Sequence, residues 1–471
     1  MKRAHVRISE QAATIPLRRA PSLGLTRSRL TALLVAGLVL LPVLGFVYNA
    51  LRYGRLIRLT DEYLYYVHAR SWYFDGDCEY ANDMLMAPGF ETASHYAGVE
   101  TRTGYTRNHF NCGTALVSVP FLAVADGMTL VHNRLADEPL PRDGYSTYFQ
   151  FMVPLGHLLL GIGGLLAGYA VAARYFPPLV AAVAMHIVLL GTNAFYYIAI
   201  EPAHGHAASI AWVAFLLYLS DTIRHHGITL RRCALLGVVS GMMVVTRPQD
   251  LFWGIVPVVL VLPTWLRLVV GERRLLRGLA WAGAAGLLAS LCYVPQAIVN
   301  WHLFGEFIHN AYAEVHVHGR PAVLHWTDPD LTRALFFPST GILWTSPLVV
   351  VCMMGTVCLL RRREWTLRAT ALAFLAVYYL VACVWWVFTG FGHRYLSSCT
   401  IAFALGTCLV MMWASRRRWL AALLTTLAVA GIGWQTGLLL AWDRGWWDIG
   451  QVSPLYRLFF SPSADWCEPW V

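Results

Sequence analysis

Residues 113–132, GTALVSVPFLAVADGMTLVH, are apolar enough to cross a membrane, and whether they do so sets the side on which every later loop lies. A span needs about 20 apolar residues. This stretch has the length, but it carries Pro120 and Asp126. A charge at the centre of a span costs roughly 2.5–3.5 kcal/mol on insertion scales. The sequence therefore predicts a helix lying at the outer interface, or re-entering from it, and not a crossing.

The arginines give the second reason. Basic clusters fall in the N-terminal segment up to Arg29, at Arg174, and in 224–232, 267–277, 361–368 and 416–418. Short loops rich in Lys and Arg stay on the cytoplasmic side. The remaining apolar runs are 30–51, 149–173, 178–199, 205–223, 233–246, 249–269, 278–300, 340–360, 366–387, 395–414 and 419–441. Counted from an inside N-terminus, these 11 runs place every basic cluster inside; a twelfth at 113–132 would place the later ones outside. The short run 233–246 is expected to be tilted, or broken at Thr246-Arg247-Pro248, because proline ends or kinks a helix.

Composition agrees. Of 471 residues, 57% are hydrophobic and 13% charged, where a soluble domain carries about 25% charged residues. The reading is an all-α, polytopic membrane bundle in a plasma or inner membrane, with a cytoplasmic N-terminus. It divides into a cytoplasmic segment 1–29, a transmembrane domain 30–441 whose first outer loop is 52–148, and an outer tail 442–471. The run 30–51 is too long for a signal h-region and lacks a small-residue cleavage site, so it reads as a retained anchor. The net charge of +10 sits mostly in the basic loops, where topology and anionic headgroups account for it. No basic patch interleaved with aromatics points to nucleic acid. Most of the ten cysteines fall inside apolar runs. Cys78, Cys112 and Cys467 are expected outside, where two of them could pair, and no CxxC supports zinc.

The outer side gathers the chemistry. Arg52, Arg55 and Arg58 recur every three residues, predicting one face of a continuing helix. Asp61-Glu62, Asp75-Gly76-Asp77 and Asn82-Asp83 follow amid aromatics. Partial burial would raise a carboxyl pKa towards the working pH, as a general base requires; for all but Asp61, a solvated loop acid is the plainer reading. Glu201 and His204, with His206, form a candidate divalent-metal set, although their spacing matches no established zinc pattern. His302, His309, His316, His318 and His325 are dispersed and read as polar surface. Tyr63, Tyr65, Tyr66, Trp72, Tyr73, Trp385, Trp386, Trp442, Trp446 and Trp447 read as an interface belt, with sugar stacking as the alternative for one or two. Arg247 and Arg394 are outward arginines set beside Pro248 and Gly392. Guanidinium forks there would clamp a phosphate; headgroup binding or helix capping is the alternative.

Taken together, these pieces resemble membrane glycosyltransferases of the GT-C fold. The residues that carry the resemblance are the anchor, Asp61-Glu62, Asp75-Gly76-Asp77, Asn82-Asp83, Asp143-Gly144-Tyr145-Ser146, Thr246-Arg247-Pro248 and Gly392-His393-Arg394-Tyr395. The group is similar to protein O-mannosyltransferases and lipid A aminoarabinose transferases, related to glycosyltransferase family 39. The resemblance implies interfacial helices in the first outer loop and a polyprenyl-phosphate sugar donor used on the outer face. It places the essential acid at Asp61, with Glu62 beside it, and a further acid at Glu201. His109 stands where the family has His-Pro-Pro or Lys-Pro-Pro, here without the prolines. His393 joins Arg247 and Arg394 as a phosphate-binding candidate, and Asp83, His109 and Tyr395 are candidates for holding donor or acceptor sugar. No cofactor is implied with certainty, and a divalent metal at Glu201 and His204 stays open.

Chemistry points the same way. Nucleotide sugars are cytoplasmic, and the 52–148 loop is too small to hold one. An outer site must take its sugar from a lipid carrier. The expected reaction is an inverting displacement onto a hydroxyl of an envelope glycan, lipid or protein, with Asp61 taking the proton and arginines stabilising the departing phosphate. The alternative is a transporter or flippase of lipid-linked glycans, which would place ionisable residues near the midplane.

Overall fold

The computed structural model describes residues 24–58, 60–86, 98–311, 316–317, 320–321, 324–384, 390–448 and 451–460. Its long helices are α1 (Gly24–Tyr53), α2 (Thr60–Arg70), α3 (Gly113–Leu135), α4 (Thr147–Tyr175), α5 (Pro178–Gly191), α6 (Gly205–His226) and α7 (Leu230–Thr246). They continue with α8 (Pro248–Gly271), α9 (Leu275–Phe304), α10 (Leu348–Arg361), α11 (Trp365–Ala382), α12 (Arg394–Ala414) and α13 (Arg418–Asp443). Among the described residues, 9 helices are long and apolar enough to cross a membrane, and α5 and α10 are shorter apolar helices. A two-residue strand pair, His316–Val317 with Arg320–Pro321, completes the set.

Each expected apolar run holds a helix, but several are interrupted. The run 178–199 breaks after Gly191, passes Thr192 and Asn193, and resumes as the π-turn Tyr196–Ile200. The run 340–360 is split at Ser346-Pro347 between Ile342–Thr345 and α10. α7 ends at Thr246, and Pro248 opens α8 as a 3-10 turn. The expected continuation of α1 through Arg55 and Arg58 fails: Gly54 at φ 70 ends the helix, the left-handed stop that glycine adopts without strain. Trp385, Trp386, His318 and Cys467 lie outside the described residues.

α6 and α12 form the buried centre, with 72% of each apolar window enclosed, whereas α1, α8, α9 and α13 have 11–22% enclosed. Small residues let the neighbours close up. Gly237 and Gly241 on α7 lie so near α9 that a Cβ would sit 2.2 Å from the Ala285 carbonyl oxygen and 2.7 Å from that of Ala289. This is the small-residue contact by which helices approach where no hydrophobic effect drives them together.

Two polar clusters mark the two ends of the bundle. At one end, Asp221 of α6 accepts from Arg174 and Tyr175 at the close of α4 and from Thr366 at the start of α11. At the other, Tyr53 at the end of α1 bonds Asp443 at the end of α13, and Arg58 pairs with Glu201. The loops 226–230, 271–275, 361–365 and 414–418 lie with Arg174, at the end opposite Asp61.

α3 stays at the Asp61 end. Ser118 Oγ meets His157 Nε2 at 2.9 Å, Phe121 lies against Gly156, and His132 meets the Tyr148 hydroxyl at 3.2 Å. α3 therefore runs antiparallel to the first third of α4 and finishes beside its first turn. Arg142, in the following loop, reaches back to grip Asp126 through two bonds of 2.8 Å. By length and composition α3 is itself among the 9 helices able to cross a membrane; its contacts set its last turn beside the first turn of α4.

Candidate active site

The first turn of α2 holds Asp61 and Glu62, where a helix N-terminus favours negative charge. The helix is fixed from below by its aromatics. Tyr63 and Tyr66 are buried and donate to the carbonyls of Asp83 and Gly144 at 2.5 Å, and the Tyr65 ring meets Phe110 edge-on at 4.6 Å. These three tyrosines are packing residues of the outer loop, not the belt expected of them. Asn108 holds the next wall: its side chain donates to the Leu64 carbonyl at 2.8 Å and accepts from the Phe110 amide at 3.0 Å.

Asp61, Arg247, Arg394, Tyr395 and His204 line one cavity of about 640 Å³, within the range of small-molecule sites. Arg394 Nη1 donates to the Asp61 carboxylate. Arg247 Nη1 lies 2.5 Å from His206 Nδ1 and donates to Ser397 Oγ at 3.2 Å. An arginine can only donate, so His206 Nδ1 accepts and the ring is neutral. Gln249 ties the two arginine segments together by donating to the Tyr395 carbonyl at 3.3 Å. Much of the remaining lining is apolar: Leu251 and Phe252 of α8, Leu324, Trp326, and Leu380 and Val381 of α11. The strap carrying Trp326 is pinned to α11, with the His325 amide on the Cys383 carbonyl and the Asp330 amide on the Ala382 carbonyl, each at 2.8 Å.

Electrostatics separate the acids. Burial alone would raise Asp61, but the Arg394 guanidinium holds its carboxyl below the usual range. The expectation of a raised base pKa is thus not met at Asp61, because a guanidinium contact outweighs desolvation. It is met at Glu62, held well above the usual range by burial and then by Glu201. Burial lowers His204 and takes His109 to about 4, so both rings are neutral.

Several expected site residues lie elsewhere. Glu62 and Glu201 are fully buried and line no part of this cavity; Glu201 takes the Arg58 guanidinium and Glu62 accepts from the Arg58 amide at 3.1 Å. Among the described residues no group of three His, Cys, Asp or Glu side chains is placed to hold a metal ion. Of the expected Glu201–His204 metal pair, Glu201 is bonded to Arg58 and His204 faces the cavity. His393 lines a separate small pocket with Asn193, Ser346 and Thr400, because the turn at Gly392 sends it to the other side of the chain from Arg394. Asp83 is buried against Arg70 at 2.9 Å. His109 packs against Phe110 with the rings tilted by 37° and their centres 4.4 Å apart, and does not line the cavity. Cys78 and Cys112 are free thiols. Tyr65, Asn111, Asn310 and the apolar wall were not legible as site residues; they come from distant segments and carry no motif.

No protein-family model and no curated protein matches the chain. Its architecture is the GT-C fold of membrane glycosyltransferases. The likeness is to ArnT from Cupriavidus metallidurans in the apo state, at TM-score 0.51 and 14% identity, over 92% of this chain and 68% of that one. The same transferase bound to undecaprenyl phosphate aligns at TM-score 0.45 and 14% identity, over 89% and 73%. The Archaeoglobus fulgidus oligosaccharyltransferase in the apo form aligns at 0.43 and 12%, over 91% and 55%. At such identities the likeness establishes the fold.

Proposed function

We propose that this protein is a membrane glycosyltransferase that moves a sugar from a polyprenyl-phosphate carrier to an acceptor hydroxyl on the non-cytoplasmic face. The observation that carries this reading is the meeting of one carboxylate, Asp61, with two guanidinium groups, Arg247 and Arg394, in a cavity much of whose remaining lining is apolar. The arginines suit a phosphate, and the apolar lining, which reaches the surface at Leu251 (60% exposed), suits an isoprenoid chain. Asp61 suits the proton of the acceptor.

The acceptor oxygen attacks the anomeric carbon as its proton passes to Asp61. The bond from that carbon to phosphate oxygen breaks, and the electron pair leaves with the carrier phosphate, whose added charge Arg247 and Arg394 meet. The phosphate departs without a proton, so one carboxylate suffices. The orientation is supported by the basic loops, which gather at the end opposite Asp61; it puts the N-terminus in the cytoplasm of a plasma or inner membrane.

The test is transfer by purified, reconstituted protein given polyprenyl-phosphate sugars and envelope acceptors. Asp61→Asn should lose activity by about 10²–10⁴-fold, the worth of a general base. Full transfer by a correctly inserted Asp61→Asn protein removes the mechanism, and movement of intact lipid-linked sugar with no new glycosidic bond makes the protein a flippase.

A further inference from the structure

We infer that the carrier phosphate takes Arg394 away from Asp61, and that this exchange arms Asp61 as the base, so that donor must bind before an acceptor proton can be removed. The inference rests on the transferase reading above.

Among the described residues Asp61 is the carboxylate lining the cavity, and it pairs with Arg394, which lines the same cavity. Both side chains are reachable from the cavity, at 27% and 17% exposed. The other groups facing Asp61 offer no replacement charge: His204 and His109 are neutral, and Tyr65, pushed up to about 12 chiefly by burial, keeps its proton. Arg247 is anchored on the far side by His206 and Ser397, with buried Asp250 near it. A phosphate that uses both arginines therefore finds one already engaged by the carboxylate.

A guanidinium cannot serve two anions at full strength, since carboxylate and phosphate packed around it repel each other. As Arg394 turns to the phosphate, Asp61 keeps its burial, loses its cation and gains an anionic neighbour. Both changes, in a site that stays buried, favour its protonated form, which is what a base accepting a proton needs. When the carrier leaves, Arg394 returns to Asp61 and drives that proton off. Gly390 gives the side chain its path: a Cβ there would lie 2.6 Å from Arg394 Cδ and 3.2 Å from Nε.

The consequence runs against intuition for a catalytic residue, because Asp61 opposes binding of the donor phosphate. The experiment measures the affinity of a polyprenyl monophosphate for the full-length protein in detergent. The proteins compared are wild type, Asp61→Asn, Arg394→Gln and the double variant, with unfolding midpoints as folding controls; Asp61→Ser replaces Asp61→Asn if the latter does not fold. Asp61→Asn should bind about tenfold more tightly than wild type, and the gain should shrink to under about twofold in the Arg394→Gln background. Equal or weaker binding by Asp61→Asn overturns the inference. So does a gain that persists without Arg394, which would mean simple charge repulsion. Absence of polyprenyl monophosphate binding by wild type removes the transferase reading itself.

Discussion

Asp83 shows how far burial can move a single residue in the outer loop. It is fully buried and bonded to Arg70, yet burial outweighs Arg70 and lifts its carboxyl to about 7. A raised acid binds its proton in the folded state at pH values where the unfolded chain has released it. Stability therefore falls as pH rises from about 4 to about 7 and levels off above that, by on the order of 4 kcal/mol from this group. Asp83→Asn should flatten that slope in thermal unfolding followed at a series of pH values; an unchanged slope would show that Asp83 does not titrate there. Asp61 behaves in the opposite sense, since Arg394 holds it down. The two acids looked alike in sequence, each in an outer loop beside aromatics, and only their cationic neighbours and depth tell them apart.

At the scale of elements, the α7–α9 contact is the joint most sensitive to one side chain. Arg247 directly follows the last residue of α7, Thr246, so the tilt of α7 sets where that guanidinium points. Gly241→Leu would force the helices apart, because a Cβ at 241 already falls 2.7 Å from a backbone oxygen of α9. A loss of roughly 1–3 kcal/mol, typical of overpacking, is expected. Transfer activity should fall further than stability accounts for, as the phosphate clamp moves. Gly241→Ala should show a smaller effect of the same kind. Wild-type activity in Gly241→Leu would mean that α7 does not position Arg247. The helices themselves were readable from apolar runs, whereas their interruptions at Thr192 and at Ser346-Pro347 were not. A break inside an apolar run costs nothing that composition reveals; it is tolerated because the surrounding helices bury it.

For the whole molecule, the charge pattern of the loops predicts that α3 begins and ends on one side. Single cysteines placed at Asp137 and at Arg142, in a background lacking Cys78 and the other native thiols, should both react with a membrane-impermeant maleimide from the face that Asp61 occupies. A cysteine at Arg363 should react from the opposite face alone. Labelling of position 137 from the face opposite Asp61 would make α3 a crossing and invert everything after it.

Hydropathy was enough for the class of bundle, because that depends on transfer energies that each segment carries locally; arginine placement supplies the expected sidedness of the loops and the expected non-crossing of 113–132, which the labelling experiment tests. Motif reading was enough to single out Asp61, Arg247 and Arg394. Folding alone settled which of the other candidates join them: Tyr395 and His204 do, while His393, Asp83, Glu62 and Glu201 are turned into other contacts. The reason is that a buried charge takes whichever partner the packing brings within reach, and here Arg58 and Arg70 reached Glu201 and Asp83 first.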